Sequence, residues 1–117
     1  MKLNAIHHVS INVKDVEDAK RFYVDLLGCQ VLDRPNLGFP GAWLQVGEQQ
    51  IHLMGIQSGT PLKEQHFAFH VDKLDTVRAE LEQAGIRLSP DREIPGVCVQ
   101  AFAHDPSGNM VEFNQRL

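Results

Sequence analysis

Residues 65–71, QHFAFHV, lie just past the middle of the chain and decide how the rest of it is read. From His66 onward, residues alternate in the period-2 pattern of a strand with two different faces. Near the start, residues 5–13, AIHHVSINV, do the same, with His8 in the corresponding place. One histidine at the same point of two similar strands, half a chain apart, is the mark of a duplicated unit.

The sequence around the two strands repeats as well. After the first strand, Asp15 is placed to cap a helix with Val16, Ala19, Phe22, Tyr23, Leu26 and Leu27 at helical spacing, and Gly28 stands where a helix stops. After the second, Asp72 is placed to cap, Leu74, Val77, Leu81 and Ala84 form the apolar stripe, and Gly85 takes the stop position. Each half continues with an Asp-Arg pair (Asp33-Arg34, Asp91-Arg92) and a loop ending Pro-Gly (Pro40-Gly41, Pro95-Gly96). Two further strands follow: AWLQV and QIHLM in the first half, VCVQAFA and MVEFN in the second. The turn HDPSGN is well specified, since Asp105 bonds forward, Pro106 presets φ, and Gly108 or Asn109 tolerates the left-handed region. These features predict an α+β fold of two βαβββ modules in tandem. The modules form a curved mixed-sheet cup with the helices on the outer face. Residues 1–117 are then one domain, with module one at 1–56, module two at 64–117 and a polar linker between them.

The bulk numbers agree with one ordinary domain and narrow the partners. The chain has 117 residues, 43% of them hydrophobic and 22% charged, enough to build a core. A net charge of −4 disfavours a nucleic acid. No apolar run reaches the roughly 18 residues of a membrane span, and no cationic start precedes an apolar block. Cys29 and Cys98 lack the spacing of a thiolate metal site or a disulfide framework. A cytoplasmic protein with a small-molecule substrate is the expectation, with neither membrane nor nucleic acid as partner.

Strand parity assigns the faces. Val9, Ile11 and Val13 belong under the first helix, which leaves His8 on the opposite face. Phe67, Phe69 and Val71 belong under the second helix, which leaves His66 and His70 opposite. The core residues Ile51 and Leu53 turn His52 away, and Val111 and Phe113 do the same for Glu112. His8 and His66 are matched positions, as are His52 and Glu112. Bringing the halves together about a pseudo-twofold axis would converge all four on one point. Imidazole and carboxylate donors of this kind suit a divalent first-row metal ion: Zn, Ni, Mn, Co or Fe. Parity also gives the wall of the cup: Trp43 and Gln45 from one inner strand, Gln100 and Phe102, with Cys98, from the other, although Trp43 suits plain core filling equally well. His70 is a candidate base or supporting donor. Arg34 and Arg92 flank the mouth, either to attract an anionic substrate or as solvated partners of Asp33 and Asp91.

The motifs IHHVSINVKDVEDAKRFYVDLLG, QIHLM, QHFAFHVDKLDTVRAELEQAGI and HDPSGNMVEF together resemble the vicinal oxygen chelate superfamily. That superfamily includes glyoxalase I, extradiol dioxygenases, fosfomycin-resistance proteins, methylmalonyl-CoA epimerase and bleomycin-resistance proteins. The resemblance implies paired modules around a metal held by His8, His52, His66 and Glu112. It also favours a homodimer, although the modules could pair within a chain or across it. The activity implied is that of a metal-dependent lyase or isomerase acting on a small substrate chelated through adjacent oxygens. Glu112 would be ligand and base, and His52 ligand or, if unligated, base. Glyoxalase I has glutamate where this chain has His52, so that particular activity is not the natural expectation. Two alternatives use the same residues. One is an Fe(II) extradiol-type dioxygenase with His8, His66 and Glu112 as its triad. The other is a metal-free binding or resistance protein that sequesters a planar ligand.

Overall fold

The computed structural model describes residues 1–117 and divides into two compact units, Met1–Thr60 and Pro61–Leu117. In the first unit, β1 (His8–Asn12) leads to α1 (Val16–Lys20), which runs on into a π-helical stretch, Arg21–Leu26. Three strands follow: β2 (Gln30–Leu32), β3 (Gly41–Val46) and β4 (Gln49–Met54). In the second unit, β5 (His66–His70) and α2 (Leu74–Gln83) precede β6 (Arg92–Ile94), β7 (Cys98–His104) and β8 (Met110–Arg116). Each unit is therefore βαβββ, and the α+β tandem expected from the sequence holds.

The two sheets share one topology. Their strand orders are β1-β4-β3-β2 and β5-β8-β7-β6, with the first strand of each unit parallel to the last and the other pairs antiparallel. In the first unit, α1 packs on β3 and β4 over Ala42, Leu44, Ile51 and Leu53, with Ala19, Phe22 and Tyr23 supplied from the helical side. In the second, α2 packs on β7 and β8, where Leu74 and Leu81 meet a core of Ala101, Ala103, Val111 and Phe113. Alternation then leaves His52, Trp43, Glu112 and Phe102 on the face away from each helix. No helix is long and apolar enough to cross a membrane.

Local chemistry departs from expectation in several places. Asp15 caps α1 as expected, accepting from Asp18 N at 3.0 Å. Asp72 does not cap α2: the helix begins after Lys73, and its first amide, Leu74 N, donates instead to Gln115 Oε1 of β8 at 2.7 Å. A side chain from the neighbouring strand has replaced the local cap. Ala84 is exposed because α2 ends at Gln83 and Gly85, at φ +81°, turns the chain; Leu88 fills the core in its place. The adjacent Phe22 and Tyr23 are both buried because the helix widens to a π turn, where Leu27 N reaches back five residues to Phe22 O. Cys98 is buried rather than open on the face of Gln100 and Phe102. The HDPSGN turn forms as read, with Asp105 Oδ1 accepting from Ser107 N and Asn109 N and Gly108 taking the positive φ.

Candidate metal and substrate site

In the second unit, β5 and β8 run side by side with Ala68 opposite Glu112, which puts His66 and the Glu112 carboxylate on one face. His66 Nε2 lies 3.0 Å from Glu112 Oε1, although Glu112 is only 8% exposed. The other carboxylate oxygen, Oε2, accepts from Asn114 Nδ2 at 2.8 Å. Phe102, opposite Glu112 in the register of β7 and β8, sets its ring edge-on to His66 at 5.3 Å between centroids.

The tautomer of His66 is decided by its other nitrogen. Nδ1 lies 2.8 Å from Glu64 O, and a carbonyl only accepts, so Nδ1 carries a proton. Glu64 presents that carbonyl from a left-handed backbone, φ 69°, the one positive φ in the chain outside glycine. In the neutral imidazole, Nε2 therefore turns a lone pair toward a carboxylate lone pair. Two acceptors at this distance require a positive species between them, either a second proton on the ring or a cation. Two ligands at about 2.1 Å from one ion and at right angles stand about 3 Å apart. The separation of Nε2 and Oε1 and their chemistry both fit a divalent metal.

In the first unit, the rings of His8 and His52 stack at 3.9 Å with 13° between planes, and Trp43 stacks on His52 at 4.6 Å and 11°. His52 is thus held between two parallel rings, and its Nε2–H donates to Gln50 Oε1 at 2.9 Å, leaving Nδ1 as the free lone pair. Burial, followed by the charges of His8, His7 and Arg34, lowers the His52 pKa below its usual 6.5, so the ring stays neutral. His8 pairs its Nδ1 with Nδ1 of His7 at 2.9 Å, which leaves its Nε2 open. The four sequence-predicted donors thus fall into two pairs, His8 with His52 and His66 with Glu112. Within neither unit do three such donors gather about one point.

The remaining predicted residues divide. Trp43 and Phe102 touch the donor histidines. Gln45 is committed to the β3–β4 turn, with Nε2 donating to Gly47 O at 2.7 Å. Gln100 lies on β7 opposite Asn114, and His70 ends β5 opposite the same residue. Arg34 pairs with no carboxylate; it donates Nη2 to Phe39 O at 3.1 Å and lies over the Phe39 ring. In the second unit Asp91 is taken by Arg78, not by Arg92. Asn114, Gln50 and the backbone of Glu64 escaped sequence reasoning as site residues. Parity with Glu112 and with His52 was the available signal for Asn114 and Gln50, and Glu64 carried none.

The comparisons with known proteins follow the same lines. The model of the Glyoxalase/Bleomycin resistance protein/Dioxygenase superfamily matches residues 5–113. The chain is 32% identical to Glyoxylase I 4 of Arabidopsis thaliana, over 96% of this chain and 71% of that protein. A glyoxalase family protein from Bacillus anthracis superposes with a TM-score of 0.89 at 29% identity, covering 100% of this chain and 98% of its own. A variant of the Listeria monocytogenes fosfomycin resistance protein FosX, complexed with manganese(II), shares the fold at a TM-score of 0.86 and 15% identity, over 99% and 95% of the two chains. With nearly its whole length matched, the chain belongs to the glyoxalase/bleomycin resistance protein/dioxygenase superfamily.

Proposed function

We propose that this protein is a metal-dependent enzyme of the lyase or isomerase type, acting on a small substrate that chelates the metal through adjacent oxygens. The observation that carries the reading is the His66–Glu112 pair, an imidazole nitrogen and a carboxylate oxygen face to face at the spacing of neighbouring ligands. His8 and His52, the matching residues of the first unit, complete the proposed ligand set. The setting we propose is a cytoplasmic homodimer.

Once bound, the metal supplies Lewis acidity that stabilises negative charge developing on a substrate oxygen. The chain's own residues handle the proton. Asn114 holds Glu112 Oε2, so Oε1 is the oxygen that binds or accepts. The Glu64 carbonyl fixes His66 with Nε2 outward. His52, kept neutral and with Nδ1 open, serves as ligand or, if it stays off the metal, as base. Trp43 and Phe102 exclude water beside the two pairs.

Elemental analysis of protein purified without chelator or affinity-tag metal tests this, beside His66→Ala, Glu112→Gln and His8→Ala. Stoichiometric first-row metal, lost in all three variants, is the expected result. Metal-free protein that also refuses added Mn(II), Ni(II), Zn(II) and Fe(II) would overturn it.

A further inference from the structure

Arg34 follows β2, and its side chain folds back over the first sheet. A Cβ built on Gly41 would stand 2.5 Å from the Leu53 carbonyl of the paired strand and 2.8 Å from both Cζ and Nη2 of Arg34, so the absence of a side chain leaves room for the neighbouring backbone and for the guanidinium alike. Gly41 has the strand parity of Trp43 and pairs with Met54, which has the parity of His52. The direction of the missing Cβ is thus the direction of Trp43 and His52, and the guanidinium lies on their face. Phe39 holds it there twice, through its carbonyl at 3.1 Å and through its ring, 4.8 Å from Cζ.

The charge so placed has no carboxylate to neutralise it. Asp33 next to it forms no ion pair, whereas Arg78 in the second unit takes Asp91, Glu82 and the Ser89 carbonyl. One of the five guanidinium N–H donors of Arg34 is spent on Phe39, and the others remain for a ligand. A planar fork of donors matches a planar oxyanion, and the flanking aromatic rings favour an organic body over a hydrated inorganic ion.

We propose that Arg34 is the recognition group for a substrate carboxylate, so that the substrate class is an organic acid carrying its charge apart from the chelating oxygens. The proposal rests on the reading that the face of Trp43 and His52 meets substrate. It does not depend on metal being bound.

The test uses benzoate and benzamide, which share shape and differ in charge, against the full chain both as purified and after chelator. Binding is followed by the Trp43 indole N–H resonance at about pH 8, above the ordinary imidazole range. Benzoate should bind about tenfold more tightly than benzamide in both preparations, as expected for a half-exposed charge-assisted contact. Arg34→Gln should abolish the preference, and Arg34→Lys should restore part of it. Equal binding of the two probes to wild-type protein, or a preference that survives Arg34→Gln, overturns the proposal. A preference that depends on Arg34 in a protein that takes up no metal would uphold it while refuting the metal-dependent reading.

Discussion

With a neutral imidazole, His66 meets Glu112 lone pair to lone pair, because the carbonyl of Glu64 holds the one ring proton on the far side. The pair is therefore uncomfortable when nothing lies between its members and stable when a proton or a metal cation does. It follows that metal and fold are linked through this pair, and that removing the carboxylate has opposite effects with and without metal.

Glu112→Gln exchanges one acceptor for an amide that donates to His66 Nε2 and still accepts from Asn114. Chelator-treated Glu112→Gln should be at least as stable as chelator-treated wild type, by about 1 kcal/mol. Added divalent metal should raise the Tm of the wild type alone. Urea and thermal melts with and without metal read both effects.

Asn114→Ala leaves the nearly buried Oε2 of Glu112 without its donor. The cost should be about 1.5–3 kcal/mol of stability, together with a loss of about 10–100-fold in metal affinity. Competition with a fluorescent chelator gives the second quantity.

Glu64→Gly removes the penalty of a left-handed non-glycine residue and keeps the carbonyl in place. Its stability should rise by up to about 1 kcal/mol, with metal affinity unchanged. Glu64→Val, which resists that conformation, should lower both and broaden the His66 Nδ1–H resonance.

His52 is a base whose pKa is lower in the folded protein than in the unfolded chain. Below about pH 6.5 the unfolded state takes up the proton first, so this histidine's contribution is complete above that value. It is lost as pH falls through the depressed folded pKa. Denaturation midpoints of chelator-treated protein from about pH 8 to 5 should therefore fall less steeply in His52→Gln.

Gln115→Ala should cost about 1 kcal/mol by freeing the first amide of α2, with the fraying confined to that helix in hydrogen exchange. Asp72→Ala should be close to silent.

The parts of this structure that follow a period were legible in the chain. Alternation placed His8, His52, His66 and Glu112 on the faces away from the helices, and Gly28 and Gly85 marked the helix ends. What the chain concealed depends on partners distant in sequence or on unusual backbone. Gln115 displaces Asp72 because β8 brings an amide to the helix start, which no local pattern announces. The π turn at Phe22 and Tyr23 shows only as an aromatic pair too close together for one helix face. Glu64 acts through its main chain, which its side-chain identity does not reveal. Arg34 and Arg92 look alike on paper, yet only Arg34 has a ring and a glycine beneath it to set its place.

Each sheet closes between its own first and last strands, β1 against β4 and β5 against β8, within one unit. During synthesis this fixes an order of events. Every strand of the first sheet has been made once Met54 is added, before β5 exists, so the first module is free to form its ladder while the second is still being translated. The later half, with its similar strand pattern, then meets an earlier half whose inner strands β3 and β4 already have their partners.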